Sequence, residues 1–161
     1  MASGDSLLVF DPLSNRPPAV DYASVDLRNE FVVLDFDDTI DETAFFLSTL
    51  PSQYGGGQFE ALVTWTSSTA TTGSAKLRVE TTRMTSGVNL DLLPSADGTA
   101  DLTISAPTTN GKLATSQSVP INTGGAAAGD LLLVGVTRLA SDVVDTLVGD
   151  LEFVSLEVRE V

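Results

Sequence analysis

Two stretches of the chain alternate with a period of two. Phe59, Ala61, Val63 and Trp65 interleave with Glu60, Leu62, Thr64 and Thr66, and Ala75, Leu77 and Val79 interleave with Lys76, Arg78 and Glu80. Successive side chains of a strand point to opposite faces, so each stretch reads as a strand with one face inward. The linker 67–74 is small and polar and of hairpin length, which predicts a β-meander that brings Trp65 and Leu77 to one core.

The same reading extends along the chain. Ser6–Phe10 is a short apolar run that stops at Asp11 and Pro12, and the loop to Pro18 holds three prolines. Tyr22–Arg28 and Phe31–Phe36 flank a turn at Asn29 and Glu30 and predict a hairpin. Glu42–Leu50 fits helix or strand and is taken as strand from its neighbours. Ala100–Ala106 and Leu113–Ile121 flank Asn110 and Gly111, a pair that favours the type I′ hairpin turn. After the glycine-rich loop 124–129, Leu131–Val136 is uniformly apolar, as for a strand covered on both sides, and Val154, Leu156 and Val158 alternate near the C-terminus. Leu139–Leu147 is the one candidate helix, weakened by Val143, Val144 and Gly149.

Eight to ten short strands at about ten-residue spacing predict an all-β fold, a single antiparallel β-sandwich or jelly roll. Its expected organisation is residues 1–20 as an N-terminal arm, or a first strand plus a Pro-rich loop, and residues 21–161 as the sandwich. A length of 161 residues suits one domain.

Charge narrows the partners. Twenty-two acidic residues against eight basic ones give a formal net charge of −14, and the cations are scattered along the sequence. Such a chain repels phosphate backbones and anionic lipid, so neither nucleic acid nor membrane is expected as a partner. No stretch reaches the ~18–20 apolar residues of a membrane span, and the N-terminus lacks a basic, apolar leader, so a soluble protein is expected. With no His and no Cys, the commonest general base, the usual zinc ligands and any disulfide are missing. No cofactor is expected.

Two features could still carry chemistry. Val32–Ile40 resembles the first motif of haloacid-dehalogenase-type phosphotransferases, an apolar strand followed by Asp-x-Asp-x-Thr. That resemblance implies Asp35 as nucleophile, Asp37 as acid/base and Mg²⁺ as the metal. The chemistry also needs a parallel sheet with crossover helices, a later Lys or Arg to hold the phosphoryl group and a distal acidic pair for Mg²⁺, and for the last two roles only Lys112 and Gly149–Asp150 are on offer. Asp35, Asp37, Asp38, Asp41 and Glu42 could alternatively supply oxygen ligands to Ca²⁺. The plainer reading is a solvated acidic loop that keeps a strand edge from pairing. Trp65 and Tyr54, near Gly55–Gly57, could stack on a sugar, although a lone Trp in an alternating strand is more often core. Ser and Thr have no His partner and no Gly-x-Ser-x-Gly elbow, which leaves no catalytic residues and a non-enzyme as the expectation.

The whole sequence resembles small virion proteins of tailed bacteriophages. The pattern runs through Met1–Phe10, Pro17–Ala19, Tyr22, Ala23, Asp26, Arg28, Asn29 and Leu34–Asp38, then from Ala140 to Asp150 and through Val154–Glu160. The resemblance implies a capsid decoration (cement) protein on the outer surface of the virion, assembled in the bacterial host cytoplasm. It further implies a homotrimer that binds across joints between major capsid protein subunits. Leu7, Leu8, Val9, Phe10, Pro12, Pro17 and Pro18 are then the expected interface, because prolines stiffen an arm that reaches over a neighbour. The alternative is a carbohydrate- or receptor-binding module at the tail.

Overall fold

The computed structural model describes residues 4–161, and the strands are β1 (Ser6–Phe10), β2 (Ser24–Arg28), β3 (Phe31–Phe36), β4 (Glu42–Thr49), β5 (Phe59–Ser67), β6 (Ser74–Met84), β7 (Gly98–Ser105), β8 (Ala114–Gln117), β9 (Leu131–Arg138) and β10 (Leu151–Glu160). Six strands form one sheet in the order β2-β3-β10-β5-β8, with β1 also on β10, and four form the other in the order β4-β9-β6-β7. Every pairing is antiparallel. The predicted β-sandwich is what the chain forms.

The alternation works as read: Phe59, Ala61, Val63 and Trp65 face Ala75, Leu77 and Val79 across one core. They do so from opposite sheets, because β5 pairs with β10 and β8 while β6 pairs with β7 and β9. The linker 67–74 therefore crosses between layers, and the expected β-meander is corrected to a sheet-to-sheet connection. The Asn110–Gly111 hairpin is corrected in the same way, since β7 and β8 lie in different sheets. Both corrections have one cause. A two-sheet sandwich needs some connections to cross between its sheets, and local turn chemistry does not specify which turns do so.

The Leu139–Leu147 segment is a run of turns, with Leu147 buried at its end. Glu42–Thr49 is strand, as taken. Leu131–Arg138 is central in its sheet, with Leu132, Val134 and Val136 in the core. Its outer face at Gly135 is covered by Phe45, the residue paired with it, whose ring would lie 3.1 Å from a Cβ at that position.

Ser6–Phe10 pairs along β10 within the sandwich, so residues 4–20 form a first strand and loop. Inside, Phe10 stacks on Phe46 at 5.3 Å and Phe46 on Phe153 at 5.5 Å, so the first strand is tied to the last through the opposite sheet. Pro12 starts a short 3-10 turn, Pro12–Ser14, whose Ser14 amide is capped by Asp11. The loop then runs along the free edge of β4 through bridges from Arg16 to Phe45 and from Tyr22 to Thr43, which protects that edge from pairing with another chain.

Candidate functional site: a groove on the outer face of the six-stranded sheet

Asn29 and Glu30 join β2 to β3 with positive φ at both positions, 45° and 77°. This is the geometry of a two-residue turn whose twist matches the strands, and it places Arg28 directly opposite Phe31. Both project from the outer face, with Phe31 73% exposed.

On the neighbouring strand, Phe153 pairs with Trp65 and Ser155 with Thr64, so Val154 is one residue too many. That β-bulge leaves Phe153 on the inner face and turns Val154 outward beside Val33 and Thr66. A second wall comes from the β7–β8 loop. The Gly111 amide donates to the Ser67 carbonyl (3.2 Å), Asn110 Nδ2 donates to the Ser68 carbonyl (3.3 Å), and Thr66 Oγ1 donates to the Lys112 carbonyl (2.9 Å). These bonds bring Leu113 to face Phe31 across the gap.

The result is a groove of about 420 Å³ lined by Arg28, Asn29, Phe31, Val33, Thr66, Gly111, Leu113 and Val154. Its size falls within the ~300–1,000 Å³ usual for small-molecule sites, and it has an apolar floor with a few polar groups at the rim. Arg28 anchors it: Nη1 donates to Glu152 Oε2 at 2.5 Å and to the carbonyls of Ser67 (3.3 Å) and Ser68 (3.4 Å). The arrangement can hold one flat, partly apolar ring against Phe31 while offering hydrogen-bond donors on Arg28 and Asn29.

Further along the same face lie carboxylates. Asp35 is opposite Ser24, with Asp26, Asp150 and Glu152 near enough to act on it electrostatically. Burial first, then these like charges, push its carboxyl up to about 7, and its Oδ1 is buried without a hydrogen-bond partner.

The predicted aromatic platform is corrected. Trp65 is wholly buried in the core, its Nε1 directed at Ser116 Oγ (3.4 Å), and Tyr54 stacks on Phe59 with its hydroxyl donating to the Gly57 carbonyl. Neither can meet a sugar. The exposed ring on this face is Phe31, which the sequence showed only as part of an apolar run. The signal that could have found it is the two-residue turn, which sets residues 28 and 31 side by side.

The acidic loop is not gathered round a metal. Asp37 Oδ1 accepts from the Thr39 hydroxyl (2.5 Å) and from the amides of Thr39 (2.6 Å) and Ile40 (3.2 Å), and these bonds, the hydroxyl's first, hold its pKa down; Glu42 accepts from the Asp37 amide (2.8 Å), while burial raises its pKa. Asp38 accepts from the Gly149 amide and Asp41 from Ser141. Each carboxylate is committed separately to loop backbone, and among the described residues no group of three or more could hold a metal ion. The phosphotransferase motif is corrected by the fold: Asp35 lies on an antiparallel strand between β2 and β10, with no parallel sheet or crossover helix around it.

Of the expected interface residues, Leu7 and Phe10 are in this chain's own core, Pro12 is buried, and Leu8 packs against the core. Val9 and Pro17 are exposed and Pro18 is half-buried.

No protein-family model matches the chain, and no curated protein sequence matches it. Solved structures do match in fold. The CBM36-1 domain of a multidomain xylanase from the hindgut metagenome of Trinervitermes trinervoides superposes with a TM-score of 0.53 over 94% of this chain and 94% of that one, at 12% identity. TmCBM61, solved with β-1,4-galactotriose, matches at 0.41 and 11% identity, covering 96% of this chain and 88% of its own. TmCBM27, a carbohydrate-binding module studied for mannan recognition, matches at 0.42 and 11%, covering 95% and 88%.

The capsid decoration reading is thereby corrected. The sandwich that superposes on 94% of this chain at a TM-score of 0.53 is a CBM36-1 domain, not a capsid or cement protein. The resemblance to virion proteins rested on overall pattern without site residues, and sandwiches of similar composition give similar patterns whatever they bind.

Proposed function

We propose that this chain is a non-catalytic carbohydrate-binding module and that glycan lies on the outer face of the six-stranded sheet, in the groove beside Phe31. The observation that carries the reading is the exposed Phe31 ring opposite Leu113, over a floor made by Val33 and the bulged Val154, with Arg28 and Thr66 at hand. Sugar rings present an apolar face of C–H groups and an equatorial belt of hydroxyls. An aromatic wall with convergent donors suits both.

The xylanase-borne CBM36-1 domain, whose fold this chain shares, agrees with the reading. The site itself is argued from this chain's residues. A face built on strands is rigid before binding, so little ordering cost opposes the ligand.

Titration calorimetry against a panel of soluble polysaccharides, xylan among them, tests the proposal. Binding by the native chain and its loss by at least about tenfold in Phe31→Ala are expected, with the thermal midpoint unchanged because the ring is exposed. Failure of every polysaccharide to bind, or full binding by Phe31→Ala, overturns it.

A further inference from the structure

We infer that the groove selects glycans that carry a carboxylate, that is, uronic acid residues, and that Arg28 is the residue that reads it. The inference rests on the glycan-binding reading above and names the class of sugar.

The first observation is the charge of the lining. In a chain with 22 acidic and eight basic residues, the eight groove residues include one cation and no Asp or Glu. Lys112 adds a second exposed cation on the wall next to Gly111. Repulsion from the rest of the net charge is screened within about 8 Å at physiological salt, so the field at the groove is set by Arg28, paired with Glu152 on its Nη1 side, and by Lys112.

The second observation is the bonding of Arg28. All its hydrogen bonds to the described residues leave from Nη1, to Glu152, Ser67 and Ser68. Nε and Nη2 donate to no atom of the described residues, and the side chain is 31% exposed. These two nitrogens form the planar fork that matches a carboxylate with two parallel hydrogen bonds. The three fixed bonds at Nη1 orient the fork before ligand arrives.

The third observation is Gly111. A Cβ there would lie 2.7 Å from Arg28 Nη2 and 3.1 Å from Nε, so any side chain at this position would press on the guanidinium. Its φ of 78° also favours glycine. Glycine leaves the space beside Nε and Nη2 free of a side chain.

Geometry then assigns the roles. The pyranose ring lies against Phe31 with its apolar face, Thr66 and Asn29 take hydroxyls, and the C6 carboxylate is held by Nε and Nη2 of Arg28 with Lys112 nearby. A neutral sugar would keep the ring contact and lose the paired charge-assisted bonds.

The test compares uronate glycans (polygalacturonate, glucuronoxylan, alginate and hyaluronan) with the carboxyl-reduced form of each, by calorimetry at two salt concentrations. At least one uronate glycan is expected to bind, with its carboxyl-reduced form at least about tenfold weaker and its affinity falling with salt. Arg28→Lys keeps the charge without the fork and is expected to remove most of the preference. Because Arg28 also ties loop carbonyls, Gly111→Ala is the second variant: it sets a methyl against Nε and Nη2 while removing none of the partners of Nη1, and is expected to weaken uronate more than neutral glycan. Equal binding of charged and reduced forms, abolished by Phe31→Ala, overturns the inference and leaves the glycan reading standing. No binding by either form overturns the inference, and overturns the glycan reading with it only if the polysaccharide panel above also fails to bind. A uronate preference that survives both Arg28→Lys and Gly111→Ala removes Arg28 from the role.

Discussion

Arg138 and Asp145 form a two-pronged ion pair sealed inside the end of the sandwich, with Nε to Oδ2 at 3.1 Å, Nη2 to Oδ1 at 2.9 Å and side-chain exposures of 0% and 2%. The remaining N–H groups of Arg138 donate to the carbonyls of Phe36 (3.0 Å), Gly149 (2.9 Å) and Leu147 (2.7 Å). One guanidinium thus holds together the end of β3, the end of β9 and the loop that leads into β10. Truncating one partner leaves an uncompensated buried charge. Asp145→Ala is expected to cost about 3–5 kcal/mol in urea unfolding, the usual penalty for breaking a buried pair. A loss under about 1 kcal/mol would show that the loop is not held this way.

This pair also shows where the sequence was legible and where it was not. The strands over Phe59–Trp65, Ala75–Val79 and Leu131–Val136 were readable because burial on one or both faces writes itself as a period. The segment 139–147 suggested a helix because its apolar residues are spaced ambiguously. Its structure is decided by Arg138 reaching Asp145 and Leu147, a tertiary contact that leaves no periodic trace. The groove was hidden for a related reason. Trp65 sits in an alternating strand whose period already sends it inward, whereas Phe31 opens a continuous apolar run with no period, and only the pairing of β2 with β3 sends it outward.

Asp35 predicts a particular pH dependence. Its carboxyl keeps its proton to about 7 in the folded chain against an ordinary value of 3.8, so the folded state binds more protons between these limits. Stability contributed here is present below about pH 4, is lost as pH rises to about 7, and is flat above. Glu42 and Asp150, also raised mainly by burial, act in the same sense, whereas Asp37, Asp101 and Glu160 are lowered and lose their contribution on the acid side. Asp35→Asn is therefore expected to be more stable than the native chain above pH 7, with the gap closing towards pH 4, in thermal unfolding at a series of pH values. A gap that widens towards acid would refute the assignment.

The β2–β3 turn carries strain that substitution can release. Glu30 at φ 77° adopts a left-handed conformation that costs a residue with a Cβ roughly 1 kcal/mol, while Asn tolerates it better at position 29. Glu30→Gly is expected to stabilise the fold by about 0.5–1 kcal/mol in denaturant titrations. No gain, or a loss, would mean that the Glu30 side chain contributes contacts that offset the strain.

Deleting Val154 separates the groove from the fold that carries it. With Phe153 opposite Trp65 and Ser155 opposite Thr64, removal of the extra residue lets β10 pair without a bulge while Leu156 and Val158 keep their inward positions. The inner core is unchanged, but the outward shelf beside Val33 and Thr66 goes, and the strand loses the added twist that a bulge brings. The deletion variant is expected to keep the native circular dichroism spectrum and a stability within about 1 kcal/mol of the parent, and to lose glycan affinity by at least about tenfold. An unfolded variant would show that the bulge is needed to fit β3 and β1 end to end along β10. A folded variant with full affinity would place the ligand on another face.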